Sequence, residues 1–403
     1  MIHPTSGEAL APQDSGPGLQ RPRICVADRK AHIRTFLAES LDDLGFVTGE
    51  CGRADDLPAI LATQSPDLIV IGLSVDGIEA GKILEILATR MFRGRVLAIG
   101  PRDSIIVLAV QKLAEHYGIA MLAPLSTPFS AGTLRDAVAT LLPKEPPARP
   151  AVDVAEALKS GWLELWYQRK IDTRTLVPSG AEAMVRMRHP SWGVVPPDYF
   201  LPDASDPHFR ALSHFVISRA IEDWKYLLKQ QGPVDLSINL PVAFFSDPRA
   251  VHDLCRWMPA DQAFGGLLIE IQSEEVIANL DLVIDVAKQV RPYNIAISID
   301  GLGADWPALL HLDTFPFVEM KVDRTFVTGC ADDRLKQTVC RHIVELAAGY
   351  GARTVATGIE TRADYMTAHG IGFDLVQGYL FGKPMGITKF ARNTLGRPMQ
   401  ALG

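Results

Sequence analysis

Long apolar runs are missing from this 403-residue chain. The longest, at 68–73 and 105–110, fall far short of the ~20 residues a bilayer-crossing helix needs, so no membrane association is expected. A basic excess is missing too. The net charge is −7, which argues against general polyanion binding, and no nucleic-acid partner is expected. Cysteine is scarce: five residues, odd in number and with no Cys-x-x-Cys pair. That excludes a disulfide scaffold and predicts buried thiols in a reducing cytoplasm. Residues 1–20 have neither a basic start nor an apolar core, and they are rich in Pro, Gly and Ser. They read as a disordered leader rather than a signal peptide.

What is present is ordinary globular chemistry, with 47% apolar and 22% charged residues, enough to bury against the entropy of ordering the chain. The length suggests two domains, or three. Four prolines crowd Pro143-Lys-Glu-Pro-Pro-Ala-Arg-Pro150, which cannot lie inside a helix or sheet. This predicts a linker at 143–151 between a domain at 21–142 and one at 152–390, with a loose tail at 391–403.

The first domain alternates strand and helix signals. Apolar runs at 24–27, 68–73, 96–99 and 120–123 are separated by helical spacing, as in Ile33, Phe36, Leu37, Leu41 and Leu44. The pattern predicts a doubly wound parallel sheet. In the second domain several strand-like runs stop on a polar residue: Asn239, Glu270, Asp300, Lys321, Thr357 and Gln377. About eight βα units predict a closed (β/α)8 barrel. Polar residues at the carboxyl ends of its strands would then gather at one mouth, where such barrels build their sites.

The order Ile24-Cys-Val-Ala-Asp28, Pro66-Asp-Leu-Ile-Val-Ile-Gly72 and Pro124-Leu-Ser-Thr127-Pro-Phe129 resembles a response-regulator receiver, a flavodoxin-like fold. The resemblance also marks departures. Only Asp28 remains of the acidic pair, Gly72 stands at the phospho-acceptor position, and Gly100 and Thr127 stand at the Ser/Thr and Lys positions. Asp67 and Asp76 lie nearby but are expected to point elsewhere. The domain is therefore expected to be a pseudo-receiver, serving packing or dimerisation rather than phosphorylation.

The second domain carries Gly180-Ala-Glu182-Ala-Met-Val-Arg186 with His189-Pro190, then Leu236-Ser-Ile-Asn239, Ile269-Glu270-Ile271, Asp300-Gly-Leu-Gly303, Lys321-Val-Asp323-Arg324, Gly358-Ile-Glu360 and Leu375-Val-Gln377-Gly378. In this order the motifs resemble the EAL domains of cyclic di-GMP phosphodiesterases, with a TIM-like barrel. The resemblance implies hydrolysis assisted by two divalent ions, Mg²⁺ or Mn²⁺. It assigns Glu182, Asn239, Glu270 and Asp300 to the first ion and Lys321, with Glu182, to catalysis. Gln168, Arg186, Asp323, Glu360 and Gln377 would contact ligand. Arg169 stands where the family has proline.

Two further departures concern the second ion. Gly301 replaces its aspartate and Thr357 its glutamate, so one metal site is expected and the second is expected to be lost. Ser273 replaces a loop glutamate, and Asp305 replaces a glycine. The expected function is a cyclic di-GMP signalling module, inactive or very weak as an enzyme, whose nucleotide binding depends on metal. It would act as a homodimer and through an unidentified protein partner. The alternative is an active phosphodiesterase that opens cyclic di-GMP to the linear dinucleotide pGpG. A third reading is a scaffold that binds neither metal nor nucleotide. His189, Trp192 and Trp306 are expected to be structural.

Overall fold

The computed structural model describes residues 22–73, 77–102, 104–142, 153–190, 192–202, 204–310, 312 and 314–394. The expected leader, nearly all of the linker, Asp76 and the tail beyond 394 lie outside these residues. The chain divides between 151 and 152, except that Arg188–Val195 groups with the first unit.

In the first unit five strands, β1 (Arg23–Ala27), β2 (Val47–Cys51), β3 (Leu68–Gly72), β4 (Arg95–Pro101) and β5 (Leu125–Thr127), form one sheet in the order β2-β1-β3-β4-β5. All described pairings are parallel. This is the flavodoxin-like winding. Leu68, Ile69, Val70 and Ile71 are all buried because helices cover both faces, which is why the strand reads as an unbroken apolar run. One expectation is corrected here. The run at 120–123 contributes only a bridge between Met121 and Val96, and the fifth strand begins at Leu125. Pro124 separates the two; it cannot donate a ladder hydrogen bond.

Asp28 and Gly72 meet at the carboxyl end of this sheet. Asp28 is buried, and its Oδ1 accepts from the Lys30 amide at 2.7 Å. A Cβ on Gly72 would lie 1.9 Å from Asp28 Oδ2, so that carboxylate fills the volume a side chain would need. Asp67 lies at the opposite end of β3, where its Oδ2 accepts from the Arg23 amide at 2.8 Å.

Strand β8 (Gly193–Val195) falls in the segment that groups with the first unit; the second unit is built on β6 (Leu163–Asp172), β7 (Pro178–His189), β9 (Leu236–Asn239), β10 (Leu267–Gln272), β11 (Ile295–Leu302), β12 (Glu319–Val322), β13 (Arg353–Thr357), β14 (Leu375–Gln377) and β15 (Met385–Gly386). Eight of them close into a barrel because β6 pairs with both β14 and β7, while β15 extends the sheet. The barrel is not built of eight identical βα units, as the alternation suggested. β6 runs antiparallel to both neighbours and turns directly into β7 through 173–177. So short a connection cannot make a parallel crossover. Asp172 Oδ1 sets the turn, accepting from the amides of Arg174 (3.0 Å) and Thr175 (2.7 Å).

Alternation along the barrel strands separates two environments. Ile269, Ile271, Ile297 and Ile299 pack outward into the main apolar cluster beneath the helices. The intervening residues Glu270, Gln272, Ser298 and Asp300 take the other face. The last helix, Ile387–Thr394, runs past the expected boundary at 390, with Phe390 and Ala391 buried. All five cysteines are buried and unpaired. No helix among the described residues is long and apolar enough to cross a membrane.

Candidate active site at the barrel mouth

Strand register assembles the site. Glu270 at the end of β10 pairs with Asn239 on β9, Gln272 with Asp300 on β11, and Gln168 on β6 with Glu182 on β7. On β12, Lys321 brings the carboxylates together. Its ammonium lies 2.9 Å from Glu182 Oε2 and 3.2 Å from Asp300 Oδ1, and it also donates to Glu270 Oε2. Asn239 Nδ2 donates to Glu182 Oε1 at 2.8 Å. Gln377 Nε2 donates to Glu182 Oε2 at 2.8 Å and to Gln168 Oε1 at 3.1 Å, and Gln168 donates onward to the Gly382 carbonyl at 2.9 Å. Seven of the expected residues thus form one connected network.

The cluster continues downward through residues the sequence reading passed over. Lys170 Nζ lies 2.8 Å from Glu270 Oε1 and 2.6 Å from Glu319 Oε1. Ser298 Oγ donates to the same Glu319 oxygen at 3.2 Å. Period-two spacing was the available signal: Lys170 follows Gln168, and Glu319 precedes Lys321, each by one pleat of the same strand face. Burial pushes the Glu270 carboxyl up, but the Lys170 and Lys321 ammoniums outweigh it and hold it at about 2. Burial pulls the Lys321 ammonium down, and the three carboxylates more than reverse this. Asp300 is raised, first by burial and then by repulsion from Glu270 and Glu182.

Beside the cluster opens a cavity of about 570 Å³ whose lining includes Glu182, Arg186, Asn239, Glu270 and Gln272 along with Met184 and Leu201. Arg186 lies two pleats along β7 from Glu182 and is anchored by a 2.8 Å bond from Nη1 to the Val185 carbonyl. Burial lowers its pKa, opposed by the nearby Glu182.

Two expected ligand contacts lie outside the hydrogen-bonded network, although Asp323 Oδ2 is 4.0 Å from where a Cβ on Gly301 would sit. Asp323 caps the short helix Arg324–Val327 through the Thr325 amide at 2.7 Å. Glu360 is exposed, and among the described residues no hydrogen bond joins it to the cluster. Asp305 is turned back on its own loop, its Oδ1 accepting from the Gly303 amide at 2.8 Å. His189 Nδ1 accepts from the Trp192 amide at 3.2 Å, and Trp306 packs on the His342 ring with centroids 5.1 Å apart, as structural roles require.

A family model for the EAL domain matches residues 151–384, more than half of the sequence. The chain belongs to the EAL domain family. Cyclic di-GMP phosphodiesterase PA2567 of Pseudomonas aeruginosa is 30% identical over 223 residues, covering 55% of this chain and 38% of that protein. Cyclic di-GMP phosphodiesterase RocR of the same organism is 27% identical over 351 residues, 82% of this chain and 88% of RocR. The first two curated relatives are matched over only 28% and 38% of their length, so the chain spans about a third of each. Among solved structures, the PaMucR phosphodiesterase in its c-di-GMP complex aligns with TM-score 0.53 and 25% identity, over 59% of this chain and 97% of that one. The EAL enzyme Bd1971, in its cAMP- and cyclic-di-GMP-bound form, aligns with TM-score 0.56 and 25% identity, over 60% and 67%.

EAL phosphodiesterases use divalent metals, and the donors here can be tested against that requirement. Glu182, Glu270 and Asp300 offer carboxylate oxygens. Asn239, having spent its amide N–H on Glu182, offers its carbonyl oxygen. An all-oxygen set suits a hard cation of the Mg²⁺ or Mn²⁺ kind. Among the described residues, however, no three Asp, Glu, His or Cys side chains already stand as a metal cage. The three carboxylates are gathered on Lys321 instead. At the two positions the resemblance assigned to a second ion, Gly301 has no side chain and the Thr357 hydroxyl donates to the Val322 carbonyl at 2.6 Å.

Proposed function

We propose that the EAL barrel of this chain is a cyclic di-GMP-binding regulatory module that holds the dinucleotide with a single divalent cation and hydrolyses it very slowly or not at all. The observation that carries this reading is the charge balance at the mouth. Three carboxylates converge there on one ammonium, Lys321, since Lys170 is shared with Glu319. The excess negative charge repels a ligand with two phosphates, and a bound dication reverses that sign. Glu182, Asn239, Glu270 and Asp300 would hold the ion, which when bound supplies Lewis-acid polarisation of a phosphoryl oxygen. Arg186 lines the cavity to receive phosphate, and Gln377, itself held by Gln168, fixes the Glu182 carboxylate.

Loss of one of two electrostatic stabilisers commonly lowers a rate by about 10²-fold or more. Gly301 and Thr357 support that loss. The first unit fits the same regulatory reading. Its winding and its Asp28–Gly72 contact support a pseudo-receiver without a phospho-acceptor, and the alignment with RocR is long enough to run through both units. A homodimer, an unidentified protein partner and a cytoplasmic setting belong to this proposal as well.

The intact first-ion donors, together with Lys321, favour a second reading: a working phosphodiesterase that makes the linear dinucleotide. One experiment separates the two. Calorimetry of cyclic di-GMP binding, with Mn²⁺ and with excess chelator, is run beside a chromatographic turnover assay. Metal-dependent binding with turnover at least 100-fold below an EAL enzyme bearing both ion sites supports the module. Comparable turnover establishes the enzyme. Equally tight binding in chelator refutes the metal coupling.

A further inference from the structure

The end of β10 reaches across to the segment Asp300-Gly301 with two side chains. Gln272 Nε2 donates to Asp300 Oδ2 at 3.0 Å, and Ser273 Oγ donates to the Gly301 carbonyl at 3.2 Å. Because Gln272 and Asp300 are register partners in parallel strands, this contact is built into the sheet. The other oxygen of Asp300 already faces Lys321 at 3.2 Å. Both oxygens of Asp300, the carboxylate that the resemblance shares between the two ions, are therefore engaged by donors of this chain.

The Gln272 amide also fills space. A Cβ on Gly301 would meet Gln272 Oε1 at 2.9 Å, closer than real Cβ contacts come. Gly301 has φ +73°, a conformation in which Asp and Asn are the best tolerated non-glycine residues. An aspartate there is strained by the backbone itself. The exposed Gln272 amide adds a contact that has to swing aside before a side chain can enter.

We infer that Gln272 is a positioning residue that closes the second-cation position, its neutral amide supplying to Asp300 the donor that a cation would otherwise provide and occupying the room of the missing 301 carboxylate. The inference rests on the one-cation reading above and deepens it. Loss of the second ion is then a repacked state rather than a bare gap. Restoring the two carboxylates alone will not restore the ion.

The test counts Mn²⁺ bound per chain, by electron paramagnetic resonance of free Mn²⁺ and by calorimetry, in the full-length protein. The native chain binds one. Gly301→Asp/Thr357→Glu, with Gln272 kept, still binds one; adding Gln272→Thr yields two. Independently, Gln272→Thr in the native background frees Asp300 Oδ2 and tightens the single Mn²⁺ site about three- to tenfold, the worth of one neutral hydrogen bond. This single variant leaves the test standing if the multiple variants do not fold. Two ions in the double variant, or an unchanged Mn²⁺ affinity in Gln272→Thr, overturns the role of Gln272. A native chain that binds two Mn²⁺, or none, overturns the one-cation reading instead.

Discussion

Lys170 and Glu319 meet inside the barrel with Nζ 2.6 Å from Oε1 and side-chain exposures of 5% and 0%. Removing one partner of a buried pair leaves an uncompensated charge, which costs about 3–5 kcal/mol. In Lys170→Met both Glu319 and Glu270 lose a partner, and the barrel transition in scanning calorimetry should fall accordingly. Lys170→Met/Glu319→Leu removes the pair together and should regain more than half of the loss, because Glu270 keeps Lys321. A double variant no better than the single one would show that the pair is not the source.

The same chain of charges sets the acid limit. Glu270 has an ordinary value of 4.5 and is held at about 2 in the fold. A carboxyl depressed on folding adds stability that is fully present above its unfolded value and lost as pH falls toward the folded one. The contribution of Glu270 should therefore fade between about pH 4.5 and pH 2. Asp300, raised by burial, acts in the opposite direction and offsets part of it. Urea midpoints at pH 5 and pH 3 should differ, and the difference should shrink in Lys170→Met, where the charge that depresses Glu270 is gone.

In the first unit, Gly72→Ala should be destabilising although alanine is ordinarily harmless at a strand end. The new Cβ meets Asp28 Oδ2 at 1.9 Å and forces that side chain off its 2.7 Å bond to the Lys30 amide. Displacing a buried hydrogen-bonded carboxylate costs about 1–3 kcal/mol. Asp28→Ala/Gly72→Ala relieves the clash, so the two changes should couple in a double-mutant cycle. Additive effects would mean that Asp28 has room to move.

How much of this was legible beforehand follows from which interactions are local. The polar positions Asn239, Glu270 and Lys321 were readable because each interrupts an apolar run, and β9 does end at Asn239, although β10 runs on to Gln272 and β12 to Val322. The family motifs then placed Glu182 and Gln377 with them. The antiparallel course of β6 was hidden because strand direction depends on the five-residue turn after Asp172, not on the composition of the strand. Lys170 and Glu319 were hidden for another reason. Each looks like an ordinary surface charge until folding closes the sequence separation of 149 between them. Glu360 shows the converse: its motif was recognisable, yet the loop leaves its side chain exposed.

Cation and phosphate contacts at the mouth should separate by mutation. Asn239 touches Glu182 and offers a hard oxygen, whereas Arg186 donates to the Val185 carbonyl and to Met184 Sδ and lines the cavity. Asn239→Ala should weaken Mn²⁺ binding, and cyclic di-GMP affinity should fall only as far as the bound cation does. Arg186→Ala should leave Mn²⁺ affinity within about twofold while weakening cyclic di-GMP about 10- to 100-fold, the worth of a charge-assisted hydrogen bond. Arg186→Lys should recover only part of this, because an ammonium cannot bond two phosphate oxygens in a planar fork. Titrations of Mn²⁺ first and then nucleotide into Mn²⁺-saturated protein read the two steps separately. An Arg186→Ala chain that binds the dinucleotide as tightly as the native one would remove Arg186 from the phosphate site.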